Sequence, residues 1–225
     1  MDFLTLVKNA KEASLKFQNI PSEIKNKALE VLANSLDLNQ RQILDANEKD
    51  LIEAKKLVES GEITQAVYNR LKLDENKMRD MIAGVREIAK LEDPINKCLL
   101  ARQLDEGLDL YKISCPIGVL GIIFEARPDV ITQISALAIK SSNVVILKGG
   151  KEAINTNKAI FEVISDALAC PKKVFPANVV NLIFSREDVA KMLEMSDYID
   201  LIIPRGGNSL VKFIKENTKI PVLGH

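Results

Sequence analysis

Ile117-Gly-Val-Leu-Gly-Ile-Ile-Phe-Glu-Ala-Arg-Pro-Asp129 and Val144-Val-Ile-Leu-Lys-Gly-Gly-Lys151 share one design: an apolar run, a short loop carrying cations, then an amphipathic stretch. The design recurs to the end of the chain. Apolar runs fall at 117–124, 144–147, 179–184, 199–203 and 221–223, with amphipathic stretches at 130–141, 152–168, 187–195 and 208–217 between them. Near-continuous apolar strands alternating with helices make a parallel sheet covered on both faces. Five strands and four crossovers predict a doubly wound, Rossmann-like α/β domain over 115–225.

Upstream, residues 1–96 read as helical. Ile24, Ala28, Leu32 and Leu36 recur every four residues behind Pro21, which suits a helix start. A second helix is expected from Asn39, with Gln42 three residues on as a capping-box signal, through Ile43, Asn47, Leu51, Ala54 and Val58 to Ser60-Gly61. A third carries Met78, Met81, Ile82, Val85, Ile88 and Ala89 and closes before Pro94; its methionines are read as core. Between 97 and 114 the period changes to alternation about Asp105-Glu106-Gly107, which predicts a β-hairpin. Such an arm either folds onto its own domain or pairs edge to edge with a second copy in a homo-oligomer.

Composition sets outer bounds. Hydrophobic residues are 47% and charged residues 28% of 225, which excludes disordered and collagen-like chains. Thirty-one Lys+Arg balance 31 Asp+Glu, so the whole chain has no electrostatic footprint for nucleic acid. No apolar run approaches the ~20 residues of a membrane span, and the first residues lack a signal peptide's basic region. Three cysteines at no metal-ligand spacing argue against a disulfide framework or a metal site. The reading is a soluble, cytoplasmic protein without metal.

In an open parallel sheet, ligands bind beyond the carboxyl ends of the strands. The loops there read Glu125-Ala-Arg-Pro-Asp129, Lys148-Gly-Gly-Lys151, Ser185-Arg-Glu-Asp188 and Pro204-Arg-Gly-Gly-Asn208. Each holds a cation, and two hold Gly-Gly before a helix. Glycine lets backbone N–H groups approach an anion, and a helix N-terminus adds about half a positive charge. Lys148, Gly149, Gly150, Lys151, Arg205, Gly206 and Gly207 are therefore candidates for a phosphate-rich ligand. A single Gly-Gly turn is more often chain geometry; the pair, with cations beside both, argues for the ligand. No G-x-G-x-x-G fingerprint is present. Cations rather than a carboxylate after the second strand favour NADP(H) over NAD if the ligand is a dinucleotide.

The search for a nucleophile fails. Cys115 precedes the first strand, Cys98 lies in the hairpin, Cys170 follows a helix, and all three are expected to be buried and structural. The single histidine, His225, is the last residue and assembles no Cys–His or Ser–His pair. Glu125 and Asp129 flank Arg127 and could do acid–base work, although an ion pair or a helix cap explains them equally.

Cys115-Pro-Ile-Gly-Val-Leu-Gly-Ile-Ile-Phe-Glu-Ala-Arg-Pro-Asp-Val130, Ser142-Asn-Val-Val-Ile-Leu-Lys-Gly-Gly-Lys-Glu-Ala153 and Ile203-Pro-Arg-Gly-Gly-Asn-Ser-Leu210 resemble the γ-glutamyl phosphate reductase (glutamate-5-semialdehyde dehydrogenase) family, a branch of the aldehyde dehydrogenase superfamily. The resemblance extends to Leu44-Asp-Ala-Asn-Glu-Lys-Asp-Leu51 and Leu91-Glu-Asp-Pro94. It implies NADPH-dependent reduction of L-glutamyl 5-phosphate to glutamate 5-semialdehyde, with release of phosphate, in proline biosynthesis. It places Lys148 and Lys151 at the adenosine ribose, Arg205, Gly206 and Gly207 at the cofactor phosphates, and Glu125, Arg127 and Asp129 on the substrate side, Arg127 at an oxyanion-stabilising position. It also implies a nucleophilic cysteine beyond Pro221-Val-Leu-Gly-His225, which none of Cys98, Cys115 and Cys170 matches. The chain then corresponds to the N-terminal, nucleotide-binding half and is expected to turn over no substrate alone. Two rivals stay open: a non-catalytic NADP-binding or oligomerisation module, and a non-redox α/β protein for a phosphate ligand.

Overall fold

The computed structural model describes residues 2–169 and 175–224; Cys170 and His225 lie outside the described residues. Five helices come first: α1 Phe3–Phe17, α2 Ser22–Leu38, α3 Gln40–Glu59, α4 Gln65–Leu71 and α5 Glu75–Lys90. Three of their starts follow ordinary capping chemistry. Asp2, Thr64 and Asp74 each accept a hydrogen bond from the backbone N–H three residues on, which satisfies an orphan donor of the first turn. The capping box expected at Asn39 is not formed. Asn39 has no extended N-cap backbone (φ −106°, ψ 17°), and its Nδ2 donates backwards to the Ser35 carbonyl. Only this one residue separates α2 from α3, so Asn39 closes α2 and leaves no room for an extended cap.

A hairpin follows, of β1 Cys98–Asp105 and β2 Leu108–Ile113, around Gly107 in the left-handed region (φ +74°). Every residue of both strands is exposed. The arm does not fold onto its own domain.

The remaining strands are β3 Val119–Phe124, β4 Val144–Lys148, β5 Val180–Ile183 and β6 Leu201–Arg205. They form one parallel sheet in the order β5-β4-β3-β6. Among the described residues, four strands stand in this sheet where the sequence suggested five. The run 221–223 makes only an isolated bridge, Val222 to Ile202, because Pro221 has no N–H with which to extend the ladder. Pro204 sits within β6, tolerated on the outer strand of the ladder.

Four helices complete the crossovers: α6 Asp129–Lys140, α7 Ile154–Ala169 (after a 3-10 turn, Lys151–Ala153), α8 Arg186–Glu194 and α9 Asn208–Glu216. Right-handed crossovers in this strand order put α6 and α7 on one face and α8 on the other. Three N-terminal helices join the first face, α2 packing on α5 and α7, α3 on α7 and α5 on α6, while α1 packs directly on β3 and β4. One continuous buried cluster runs from Phe3 through the sheet to Ile220. Buried Lys25 reinforces it by pairing with Asp93 (2.5 Å) and donating to Ser142 Oγ (3.0 Å). No helix among the described residues is long and apolar enough to cross a membrane.

Candidate functional site

Parallel register brings the four loops to one edge. Ile123 pairs with Lys148, Phe124 with Arg205, and Lys148 with Ile183, so Lys148 and Arg205 flank the end of β3 on either side. The strand order reverses between β3 and β6, and a doubly wound sheet opens its binding crevice at that reversal. Arg127, Lys151, Arg186 and Arg205 are exposed there and Lys148 is half-buried. The edge carries carboxylates as well (Glu125, Asp129, Glu152, Glu187 and Asp188), so its character lies in what each charge touches rather than in a surplus of either sign.

The two Gly-Gly loops prove unlike. Gly149 and Gly150 are buried. A Cβ on Gly149 would overlap Asn157 Nδ2 and come within 3.2 Å of the Phe124 ring; one on Gly150 would overlap the Glu152 carboxylate. The helix that follows is already capped from within. Buried Asp50 accepts from the backbone N–H of Asn155 (3.1 Å) and Thr156 (2.7 Å) and from the Thr156 hydroxyl (2.6 Å). The space above Gly149 and Gly150 is thus filled by the Asn157 amide, the Phe124 ring and the Glu152 carboxylate. Lys148 and Lys151 remain available at its rim.

Gly206 and Gly207 are exposed, and Gly207 leads directly into α9. One carboxylate reaches this end: Glu125 Oε2 accepts from Gly207 N at 3.3 Å and lies 2.7 Å from where a Gly206 Cβ would stand. A carboxylate oxygen on that N–H stands in for an anionic oxygen, and the donor set therefore fits a phosphate.

The side chains of Arg127 and Asp129 make no hydrogen bond or ion pair among the described residues, although the Arg127 carbonyl accepts from Val130 N (3.1 Å), and α6 starts without a side-chain cap, so neither the local ion pair nor the helix cap is formed. The backbone at Ala126, just before Arg127, is left-handed (φ +46°), and its N–H donates to Glu152 Oε1 at 2.8 Å. At Lys148, burial pulls the ammonium below its ordinary value; Glu152 opposes that shift, Arg186 adds to it, and Glu125 opposes it. Charges from three loops thus act on the Lys148 ammonium.

Cys98 and Cys115 are exposed rather than buried, because the hairpin has no covered face and Cys115 lies in the segment between arm and sheet. Neither reaches the ligand edge: Cys98 is in the arm, and Cys115 precedes the amino end of β3. Asp50, Glu152 and Asn157 escaped sequence reasoning. For Asp50 a signal existed: with Asn47 it stands on the buried stripe Ile43, Asn47, Asp50 and Ala54 of α3, where polar residues mark an internal linkage.

A four-stranded parallel sheet with a switch point, a helix N-terminus opening onto it and lysines at the neighbouring strand end define a doubly wound α/β protein with cations gathered at its crevice. The chain belongs to the aldehyde dehydrogenase family, whose profile matches residues 1–222, and a nicotinamide cofactor goes with that family. It is similar to the γ-glutamyl phosphate reductases of Brachyspira hyodysenteriae (58% identity over the whole chain and 52% of the relative) and Methanosarcina acetivorans (46%, over 100% of the chain and 50% of the relative). A crystal structure of γ-glutamyl phosphate reductase from Saccharomyces cerevisiae superposes with a TM-score of 0.93 at 40% identity, covering all of this chain and 56% of that one. The Thermotoga maritima enzyme gives 0.90 at 34%, covering 99% and 53%. The chain spans about half the length of the curated relatives it matches.

Proposed function

We propose that this chain supplies the NADP(H)-binding half of a reductase that converts L-glutamyl 5-phosphate to L-glutamate 5-semialdehyde with release of phosphate, in proline biosynthesis. The observation that carries the reading is the placement of Lys148 and Arg205 on either side of β3 at one sheet edge. Lys148 and Lys151 hold the 2′-phosphate, Gly149 and Gly150 shaping the turn between them. Arg205, Gly206 and Gly207 hold the pyrophosphate at the start of α9. Arg127, whose side chain has no partner among the described residues, neutralises the acyl phosphate or the oxyanion, and Glu125 and Asp129 share its substrate-facing loop. The bound cofactor supplies the hydride. The similarity to γ-glutamyl phosphate reductases supports the substrate.

The domain plan goes with this reading: a helical part over 1–96, an arm over 97–114 and a cofactor domain over 115–225. Because neither described thiol reaches the ligand edge, the 225-residue chain alone turns over no substrate. Titration calorimetry with NADPH and NADH tests the proposal, since the chain has no Trp to act as an energy donor. Saturable NADPH binding with weaker NADH binding is expected; no saturable binding of either overturns the reading, and reductase activity of the purified chain overturns its inactivity.

The arm favours a second function, assembly of a homo-oligomer. Two open strand edges with Leu104, Leu108, Leu110 and Tyr111 in water are an unsatisfied pairing surface. Sedimentation is expected to show self-association that Leu108→Lys with Leu110→Lys abolishes; a wild-type chain monomeric at every concentration would remove this part.

A further inference from the structure

The left-handed backbone at Ala126 is a conformation that a residue with a Cβ keeps only when its surroundings impose it. Two surroundings do so. Ala126 is buried in a small cluster with Ala54, Leu71 and Ala153, and its N–H is held by Glu152 from the neighbouring loop. The next residue is Arg127, whose carbonyl is held by Val130 N (3.1 Å) and whose side chain is held by no described residue, so the Ala126 turn sets where the Arg127 side chain departs from the loop. Gly150 tells the same story from the other side. Its backbone (φ −63°, ψ 152°) is open to any residue, and a phosphate does not need it, since the space above its Cα is taken by Glu152. The side chain absent from Gly150 is the room in which the Glu152 carboxylate sits.

We propose that Glu152 is the positioning residue of the ligand edge: it fixes the Ala126 turn and thereby places Arg127, and residue 150 is glycine in order to seat it. The proposal rests on the reading of Arg127 as the group that meets an anion. The same carboxylate opposes the effect of burial on Lys148, so one side chain serves both the cofactor loop and the substrate loop.

The test uses the 225-residue chain, with Ala126 amide exchange followed by NMR and inorganic phosphate titrated by calorimetry. Glu152→Ala is expected to raise Ala126 exchange about tenfold and weaken phosphate about fivefold, the scale of one charge-assisted hydrogen bond. Glu152→Gln keeps an acceptor oxygen and should restore both to within about twofold. Gly150→Ala should reproduce Glu152→Ala by evicting the carboxylate, and the double variant should be no worse than either single one. In an Arg127→Ala background, Glu152→Ala should no longer change phosphate binding. Unchanged Ala126 exchange in Glu152→Ala overturns the proposal. So does faster exchange with wild-type phosphate binding, provided Arg127→Ala weakens phosphate. Phosphate binding indifferent to Arg127→Ala instead overturns the reading of Arg127 on which the proposal stands. Should Glu152→Ala fail to fold, Glu152→Gln against Gly150→Ala carries the same comparison.

Discussion

Gly149-Gly150 and Gly206-Gly207 look interchangeable in the sequence, each a pair of glycines between an apolar strand and a helix with cations beside it. They differ in what occupies the space above them. The first pair is buried under Asn157, Phe124 and Glu152, and the helix behind it is capped by Asp50. The second is open to solvent and touched by one exposed carboxylate. Glycine at the first pair makes room for the protein's own side chains, and at the second it leaves room for something else. A glycine-rich turn is therefore ambiguous between internal packing and ligand approach until its neighbours are known.

Substitutions can sharpen or break this contrast. The largest expected effect is at the rim of the closed loop: Lys148→Ala with Lys151→Ala should weaken NADPH by about 10–100-fold, the scale of one or two charged phosphate contacts, and NADH by far less. Equal losses for both nucleotides, measured by calorimetry, would take the 2′-phosphate away from these lysines. Next comes Gly149→Ala, which drives a methyl group into Asn157 and the Phe124 ring, both buried, and should destabilise the chain by about 1–3 kcal/mol in denaturant unfolding. A wild-type midpoint would mean that the closed loop is not closed.

Gly207→Ala is the counterpart. Its backbone (φ −64°, ψ 156°) accepts any residue, and the nearest atom to a new Cβ is Ser209 Oγ at 3.9 Å, so stability should change by less than about 0.5 kcal/mol. NADPH affinity should nevertheless fall several-fold, because the methyl group stands where the phosphate must approach. A stability loss here as large as that of Gly149→Ala would erase the distinction between the loops. The smallest effect is expected from Glu125→Gln, which removes the charge seated on Gly207 N–H and should tighten NADPH by about twofold to fivefold, the scale of a charge at a helix terminus. Weaker binding would instead make Glu125 a ligand contact.

Much of the architecture could be read in advance. The strand–helix alternation after Pro116, the hairpin around Gly107 and the gathering of loops 125–129, 148–151, 185–188 and 204–208 at one edge all follow from periodicity and the rules of parallel sheets. Where reading failed, a choice between equal local signals was settled by distant residues. Asn39 carries the chemistry of an N-cap, but the single-residue link between α2 and α3 turns it into a C-cap. Cys98 and Cys115 have the burial preference of free cysteine, yet the arm and the approach to β3 leave them in water.

Legible in the chain alone was the periodic part: the amphipathic helices α2, α3 and α5, the hairpin, the strand–helix alternation from β3 to α9, and the cations at the strand ends. Those properties depend on neighbours within a turn or a pleat. Which glycines are filled and which are open emerged only from the folded arrangement, because the answer lies in side chains from elsewhere. Asp50 reaches α7 from α3, and Glu152 and Glu125 each cross from one strand-end loop to the backbone of another. Whether a backbone N–H meets an internal carboxylate or remains for a ligand is a matter of three-dimensional proximity, and no spacing along the chain encodes it.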